Sequence, residues 1–224
     1  SVEIAEANGD AETISVIVKA RPERAISGVL AGEDLSWDAA SDIHLDGVVT
    51  VADGAQLIIA PGTRVFLDPN ARLEIEGDLS ATGPILFTRA TQDAWGGLVV
   101  TPGGNATLHD TWFVGGGGDA TKAFGHSASQ PVVKASSGVL SMLGGGVLDS
   151  PGKALGGYKA TLALTDVLIS RCDTGGELVQ SSLTASRLHV LEIPDADGEA
   201  TDDDNDGLYF VGALQVDDQV VGSS

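Results

Sequence analysis

The feature that most constrains this chain is a run of paired apolar residues broken by turns, from Asp42 to Arg89. Val49/Val51, Leu57/Ile59, Val65/Leu67, Leu73/Ile75 and Ile85/Phe87 each place two apolar side chains at i and i+2, on one face of a short strand. Between the pairs stand Asp53-Gly54, Pro61-Gly62, Asp68-Pro69-Asn70, Glu76-Gly77-Asp78 and Gly83-Pro84. Each has turn chemistry: glycine reaches positive φ, proline presets φ, and Asn or Asp closes local hydrogen bonds. Strands this short, with no helical stretch between them, cannot form β-α-β units. A chain that coils, stacking strand on strand, satisfies the pattern.

The later half keeps the pattern in a looser form. Ala106-Thr107-Leu108, Gly138-Val139-Leu140, Ala160-Thr161-Leu162 and Ser181-Ser182-Leu183 are alike, and their leucines stand 32, 22 and 21 residues apart. A step of about 20 to 25 residues is the signature of one solenoid turn. The longer step requires an insertion, and the stretch from Gly115-Gly116-Gly117-Gly118 to Ser129 is where a flexible loop would be extruded. At about 4.8 Å per coil, residues 42 to about 215 give roughly seven or eight coils and a rod on the order of 35 Å long. Leu162/Leu164, Val167/Ile169 and Leu188/Val190 are expected as interior ladders, with glycines at positive-φ corners.

Four motifs go further. They are Val51-x-x-Gly54-Ala55-x-Leu57-x-Ile59-x-Pro61-Gly62-Thr63-x-Val65, then Leu73-Glu74-Ile75-Glu76-Gly77-Asp78-Leu79, then Ile85-Leu86-Phe87-Thr88, and finally Trp95-Gly96-Gly97-Leu98. In this order they resemble the right-handed parallel β-helix, or pectin-lyase-like, repeats of bacterial secreted and surface proteins. The resemblance implies an all-β chain whose residues 37–224 form a right-handed parallel β-helix. It implies no single activity, because such a fold hosts many. Relatives of the fold include polysaccharide lyases, hydrolases and epimerases.

Residues 1–36 do not follow the coil pattern. Thr13 to Lys19 reads as one strand, with Ile14, Val16 and Val18 on one face, and Arg21-Pro22-Glu23-Arg24 ends it. This segment is expected to be an N-terminal cap or the tail of a preceding domain, since an open stack of strands exposes unpaired backbone at its end.

Charge narrows the partners. Twelve basic and thirty-two acidic residues give a net charge of −20, which argues against nucleic acid and against anionic membrane surfaces. No apolar run approaches the roughly 18 residues a membrane span requires. The single cysteine, Cys172, excludes an intramolecular disulfide framework and reads as a small buried hydrophobe. Ser1 begins no signal peptide, so the chain reads as a processed form or a piece of something longer.

The strongest chemical candidate is the acidic stretch 195–206. Asp202, Asp204 and Asp206 followed by Gly207 match the first half of a calcium loop, in which alternating carboxylates converge on a hard cation. The closing bidentate Glu is missing, because that position is Ala213. Two readings stay open: a looser calcium site on a β-helix loop, with Asp195 and Asp197 as added ligands, or a solvated acidic loop. His44, His109, His126 and His189 show no zinc spacing. A polysaccharide-acting enzyme needs clustered carboxylates and a nearby base. The basic residues available are Lys153, Lys159, Arg171 and Arg187, read as solvated rung-edge positions, with Arg171 and Arg187 sharing a flank if the coils superimpose. Trp95 is expected to pack against a coil corner, and Phe66 to point outward.

No catalytic residues emerge from these patterns, and they favour a non-enzymatic secreted or cell-surface β-helix. It would act as a structural or adhesive module and as a calcium-dependent self-assembling subunit. Its homo-oligomer would form through the solenoid ends, Leu208-Tyr209-Phe210-Val211 pairing with a neighbour's Ile14 to Val18. The alternative is a polysaccharide-binding or polysaccharide-degrading β-helix of lyase or hydrolase type.

Overall fold

Each apolar pair becomes one strand of a parallel ladder. The computed structural model describes residues 2–5, 11–14, 20–32, 35–125, 130–194, 206–212 and 220–222, and its strands wind into a parallel β-solenoid of about seven turns. Three faces recur in each turn. The first stacks Ile43, Val65, Phe87, Phe113, Val147, Ile169 and Val190. The second stacks Val49, Leu73, Leu98, Val133, Leu155 and Gly176. The third stacks Leu35, Leu57, Leu79, Ala106, Leu140, Leu162 and Leu183.

Alternation explains why the stack is stable. On Arg64–Leu67, Val65 and Leu67 are fully buried while Arg64 and Phe66 lie at the surface, half-buried. Every residue of the five apolar pairs from Val49 to Phe87 is sealed inside, each contributing about 1.5–3 kcal/mol of burial. Leu162, Leu164, Val167 and Ile169 are buried, and Leu188 and Val190 pack against them more loosely.

The corners are less dependent on glycine than the composition suggests. Ser137, Lys159 and Gln180 occupy one corner on successive turns with φ of 51°, 49° and 50°; Asp149, Arg171 and Glu192 occupy another at 57°, 54° and 52°. Left-handed backbone costs an L-residue roughly 1–2 kcal/mol, and here it turns the chain from one face to the next. The side chains this presents at equal steps form ion-pair ladders. Arg171 holds Asp149 through two hydrogen bonds of 2.6 and 3.0 Å and lies 3.7 Å from Glu192. Arg187 grips Asp166 in the same two-pronged way.

At the N-terminal end, Val2–Ala5 and Ala11–Ile14 form an antiparallel hairpin. Residues 15–19 of the expected strand lie outside the described residues. Glu23–Leu30, placed by its sequence in the terminal segment, already pairs in parallel with Asp42–Val51, so the ladder starts before residue 37. No helix among the described residues is long and apolar enough to cross a membrane.

The described part of the insertion, residues 115–125, is not extruded. Where described, it folds down onto the second face: Gly117 N–H donates to the Gly96 carbonyl at 2.7 Å, and Gly118 N–H to the Trp95 carbonyl at 2.9 Å. Gly116 makes this approach possible, since a Cβ there would fall 2.7 Å from the Trp95 ring. Trp95 is itself fully buried, donates its indole N–H to the Val114 carbonyl at 2.9 Å, and sits 6.4 Å from the Phe113 ring, which stacks on Phe87 at 5.0 Å.

Candidate functional site

The outward positions of the second face run Glu74, Val99, Lys134, Gly156, Glu177 and Tyr209 on consecutive turns. On an uncovered sheet these charges would be solvated. The insertion crosses this face and changes their surroundings. Lys153 and Glu177, 1% and 2% exposed, form an ion pair of 2.7 Å, and Lys153 also donates to the Phe124 carbonyl. Phe124 lies under two ammonium groups, Lys134 at 4.2 Å and Lys153 at 5.8 Å from its ring centre. Burial pushes the Lys134 ammonium below its ordinary pKa, and neighbouring Lys153 adds to the effect.

Two glycines make the close packing possible. Gly156 leaves room for Pro131, whose Cγ would be 2.6 Å from a Cβ there. Gly125, in the left-handed region at φ 68°, lies against the Glu177 carboxylate so closely that any side chain would collide with it. The insertion is thereby anchored by a buried charge pair, with Glu177 bearing on its backbone. Sealed from solvent and mutually neutralised, the two residues are placed to hold structure together.

A cleft of about 280 Å³ opens between the strands and the insertion, lined by Arg72, Glu74, Val99, Lys122, Gln130 and Lys134 among others. Arg72 donates from Nε to Glu74 at 2.6 Å, and its Nη1 is 3.6 Å from buried Asp119. Asp119 in turn caps the short turn Ala120–Lys122, accepting from the Thr121 N–H at 2.9 Å and hydroxyl at 2.6 Å. Gln130 is 1% exposed, and among the described residues its amide nitrogen and oxygen have no hydrogen-bond partner. Arg72, Lys122 and Lys134 bring positive charge to this cleft, and Glu74 and Asp119 both engage Arg72.

The residues singled out by sequence fare differently. Asp195, Asp197, Asp202 and Asp204 lie outside the described residues. Asp206 is exposed, and its carbonyl accepts from Gly175 N–H at 2.9 Å. Among the described residues, no group of three or more His, Cys, Asp and Glu is close enough to hold a metal ion. Lys153 is not a solvated rung-edge residue, because the insertion covers it. Lys159 is exposed beside the Tyr158 ring at 5.2 Å. Arg171 and Arg187 do not share a flank: one follows and the other precedes a first-face strand, so they stand at opposite corners. Each guanidinium is held above its ordinary pKa by its own Asp.

His44 bridges Asp68 at 2.9 Å and Glu23 at 3.2 Å. Cys172 is fully buried and its thiol is pushed up to about 11, chiefly by that burial. Trp112 lies half-buried on the outside of the first face, its ring 3.2 Å from where a Cβ on Gly146 would be. Sequence reasoning missed Gln130, Phe124 and Lys134. Lys134 alternates with Val133 and Ala135, which marks it as outward-pointing on a strand, but nothing local says that a loop will cover it.

No family model matches the chain, and no curated protein or solved structure matches it significantly.

Proposed function

We propose that the chain is a rigid module of a secreted or cell-surface protein, of the pectin-lyase-like β-helix type, that serves a structural or adhesive role. The observation that carries this reading is the continuous register of the third-face ladder. Turn after turn pairs residue for residue on the third face, from Leu35 to Leu183. Such a stack resists bending and presents side chains at fixed spacing, among them Ser80, Thr107, Ser141, Ala163 and Thr184 in one outward row. Repetition of this kind suits a spacer or an adhesive surface.

Assembly through the solenoid ends belongs to the same reading. Tyr209–Val211 is a late rung of the second face, paired with Glu177–Val179, and Tyr209 and Phe210 are 36% and 39% exposed. A second copy supplying a strand there would continue the ladder. The acidic stretch 195–206 is its proposed calcium-sensitive control, with Asp195, Asp197, Asp202, Asp204 and Asp206 as ligands. Sedimentation velocity with millimolar calcium and with chelator tests both. Polymers that dissolve in chelator support the reading; one unchanged monomer boundary in both buffers overturns the assembly and its control.

A polysaccharide-binding reading has one observation in its favour. Trp112 and Phe66 stand half-buried on the outside of the first face, where aromatic rings can stack on sugar rings. Incubation with polyuronates and neutral glycans, followed for retention and for shortened or unsaturated products, separates this reading from the structural one.

A further inference from the structure

We propose that the first rung of the ladder, Glu23–Leu30, is a detachable cap latched by a proton on His44, and that loss of this proton frees the rung and bares the backbone edge of Asp42–Val51. The inference goes beyond the adhesive reading and does not depend on it. It starts from how lightly the rung is built. Of its eight residues only Ile26 and Leu30 are half-buried and none is fully buried, whereas Ile43, Leu45, Val49 and Val51 on the strand beneath it are sealed. Its register with that strand also shifts between Ile26 and Gly28. A segment with so little buried apolar surface opens locally while the rest stays folded. The edge it leaves behind is one at which a further strand can add.

The latch follows from the donors that an imidazole can offer. His44 Nδ1 lies 3.2 Å from the Glu23 carboxylate on the rung, and its Nε2 lies 2.9 Å from Asp68 on the following turn. The charged ring has two N–H donors and serves both carboxylates; the neutral ring has one and turns a lone pair toward the other. One bond must therefore break when the proton leaves. Asp68 makes the shorter contact, and its position is fixed by its own N–H, which donates to the Leu45 carbonyl at 3.1 Å. The Glu23 side chain is 66% exposed. The bond given up is the one to the rung.

The charges around His44 do not take over its role. On its own strand, Asp42 is held by Arg64 at 2.6 and 2.8 Å and lies 3.9 Å from Arg21, while Asp46 is exposed. At the rung, Arg21 donates to the Gly62 carbonyl at 2.8 Å and Arg24 to the Ser36 carbonyl at 3.3 Å. Among the described residues, no cation other than His44 lies within ion-pair distance of Glu23 or Asp68. The ring's pKa is raised, mainly by the hydrogen bond to Asp68, with burial opposing and Glu23 adding. The latch is therefore closed below the unfolded value of about 6.5 and opens as pH rises through the folded value.

Amide hydrogen exchange of the whole chain, resolved by residue with NMR and expressed as protection over the unstructured rate, tests this between about pH 5.5 and about pH 8. The reporters are the Asp42 and Ala52 amides, which donate to the Pro22 and Leu30 carbonyls, each at 2.9 Å. Their protection should fall about threefold to fivefold at the higher pH, while Leu162 and Leu164 keep theirs. The midpoint should coincide with the titration of the His44 ring in the same spectra. Glu23→Gln removes the charge and keeps the contact, because a carboxamide accepts from the charged ring and donates to the neutral one. In that variant the two reporters should be equally protected at both pH values. The proposal is overturned if the reporters keep their protection at the higher pH, or if the loss has a midpoint other than that of His44. Parallel loss at Leu162 and Leu164, or a loss that persists in Glu23→Gln, also overturns it.

Discussion

The turns built from residues 42–89 and those built from residues 130–180 use the same ladder in opposite ways. In the first set, the inward positions are apolar and sealed, and charged residues such as Arg64 and Glu74 lie outward, half-buried. In the second set Val133, Val147, Leu162 and Ile169 are again sealed, yet buried polar side chains stand beside them, among them Asp173 and Glu177, each 2% exposed, and Lys153, 1% exposed. Strand position is the same. What differs is that the insertion seals Lys153 and Glu177, whereas beside Arg72 and Glu74 it leaves an open cleft. In a solenoid the inside is set by alternation, whereas the outside acquires an environment only from what crosses it.

The sharpest way to break the comparison is to put a charge where both sets of turns are alike. Leu162→Asp places an unpaired carboxylate in the third-face core, against Leu140 and Leu183. It should remove more than about 4 kcal/mol, abolishing the cooperative melt followed by circular dichroism; a soluble variant with a normal melt would mean that this register is wrong. Next in size is the covered pair. Lys153→Met takes the buried cation away from the Glu177 carboxylate and should cost about 3–5 kcal/mol in urea unfolding, with much of the loss recovered by adding Glu177→Leu. Arg187→Met, at an open corner, should leave the urea midpoint unchanged. Equal effects of the Lys153 and Arg187 substitutions would erase the distinction between covered and open positions.

Smaller effects refine it. Gln180→Gly relieves left-handed backbone at a corner (φ 50°), and the gain is partly offset by the freer unfolded chain. A net stabilisation of under about 1 kcal/mol is expected from chemical unfolding. Smallest is the pH response of the first turns. The His44 pKa is raised, mainly by its hydrogen bond to Asp68, against an opposing effect of burial, with Glu23 adding to the rise. A raised folded-state value means that His44 contributes its stability fully below its unfolded pKa of about 6.5. The contribution, below about 1 kcal/mol, is lost as pH rises through the folded value. His44→Gln should flatten that part of the stability curve; an unchanged slope would show the bridge to be energetically silent.

Some of this could be read from local pattern because its cause is local. Val65-x-Leu67 points inward wherever a strand has period two, and Trp95 is expected at a corner because it begins a strand. Phe66 points outward for the same reason that Val65 does not. The candidate site was not legible in this way. Lys153 looks like a rung-edge lysine, and only the descent of Phe124 and Gly125 onto Lys153 and Glu177 makes it a buried ion partner. Arg171 and Arg187 differ by 16 positions, too few for a full turn, so they had to fall at different corners; the register of Asp149 and Asp166 then decided their partners.

By itself, the sequence determined that this chain coils. Alternating apolar pairs and turn residues at steps near 22 leave no other way to bury the first and satisfy the second, because both requirements act over a few residues. Tertiary structure alone decided where the insertion lies, which charges it covers, and that Lys122 and Lys134 share a cleft with Arg72 and Glu74. Those outcomes depend on groups many residues apart, and on a glycine-lined approach that exists only once the turns are stacked.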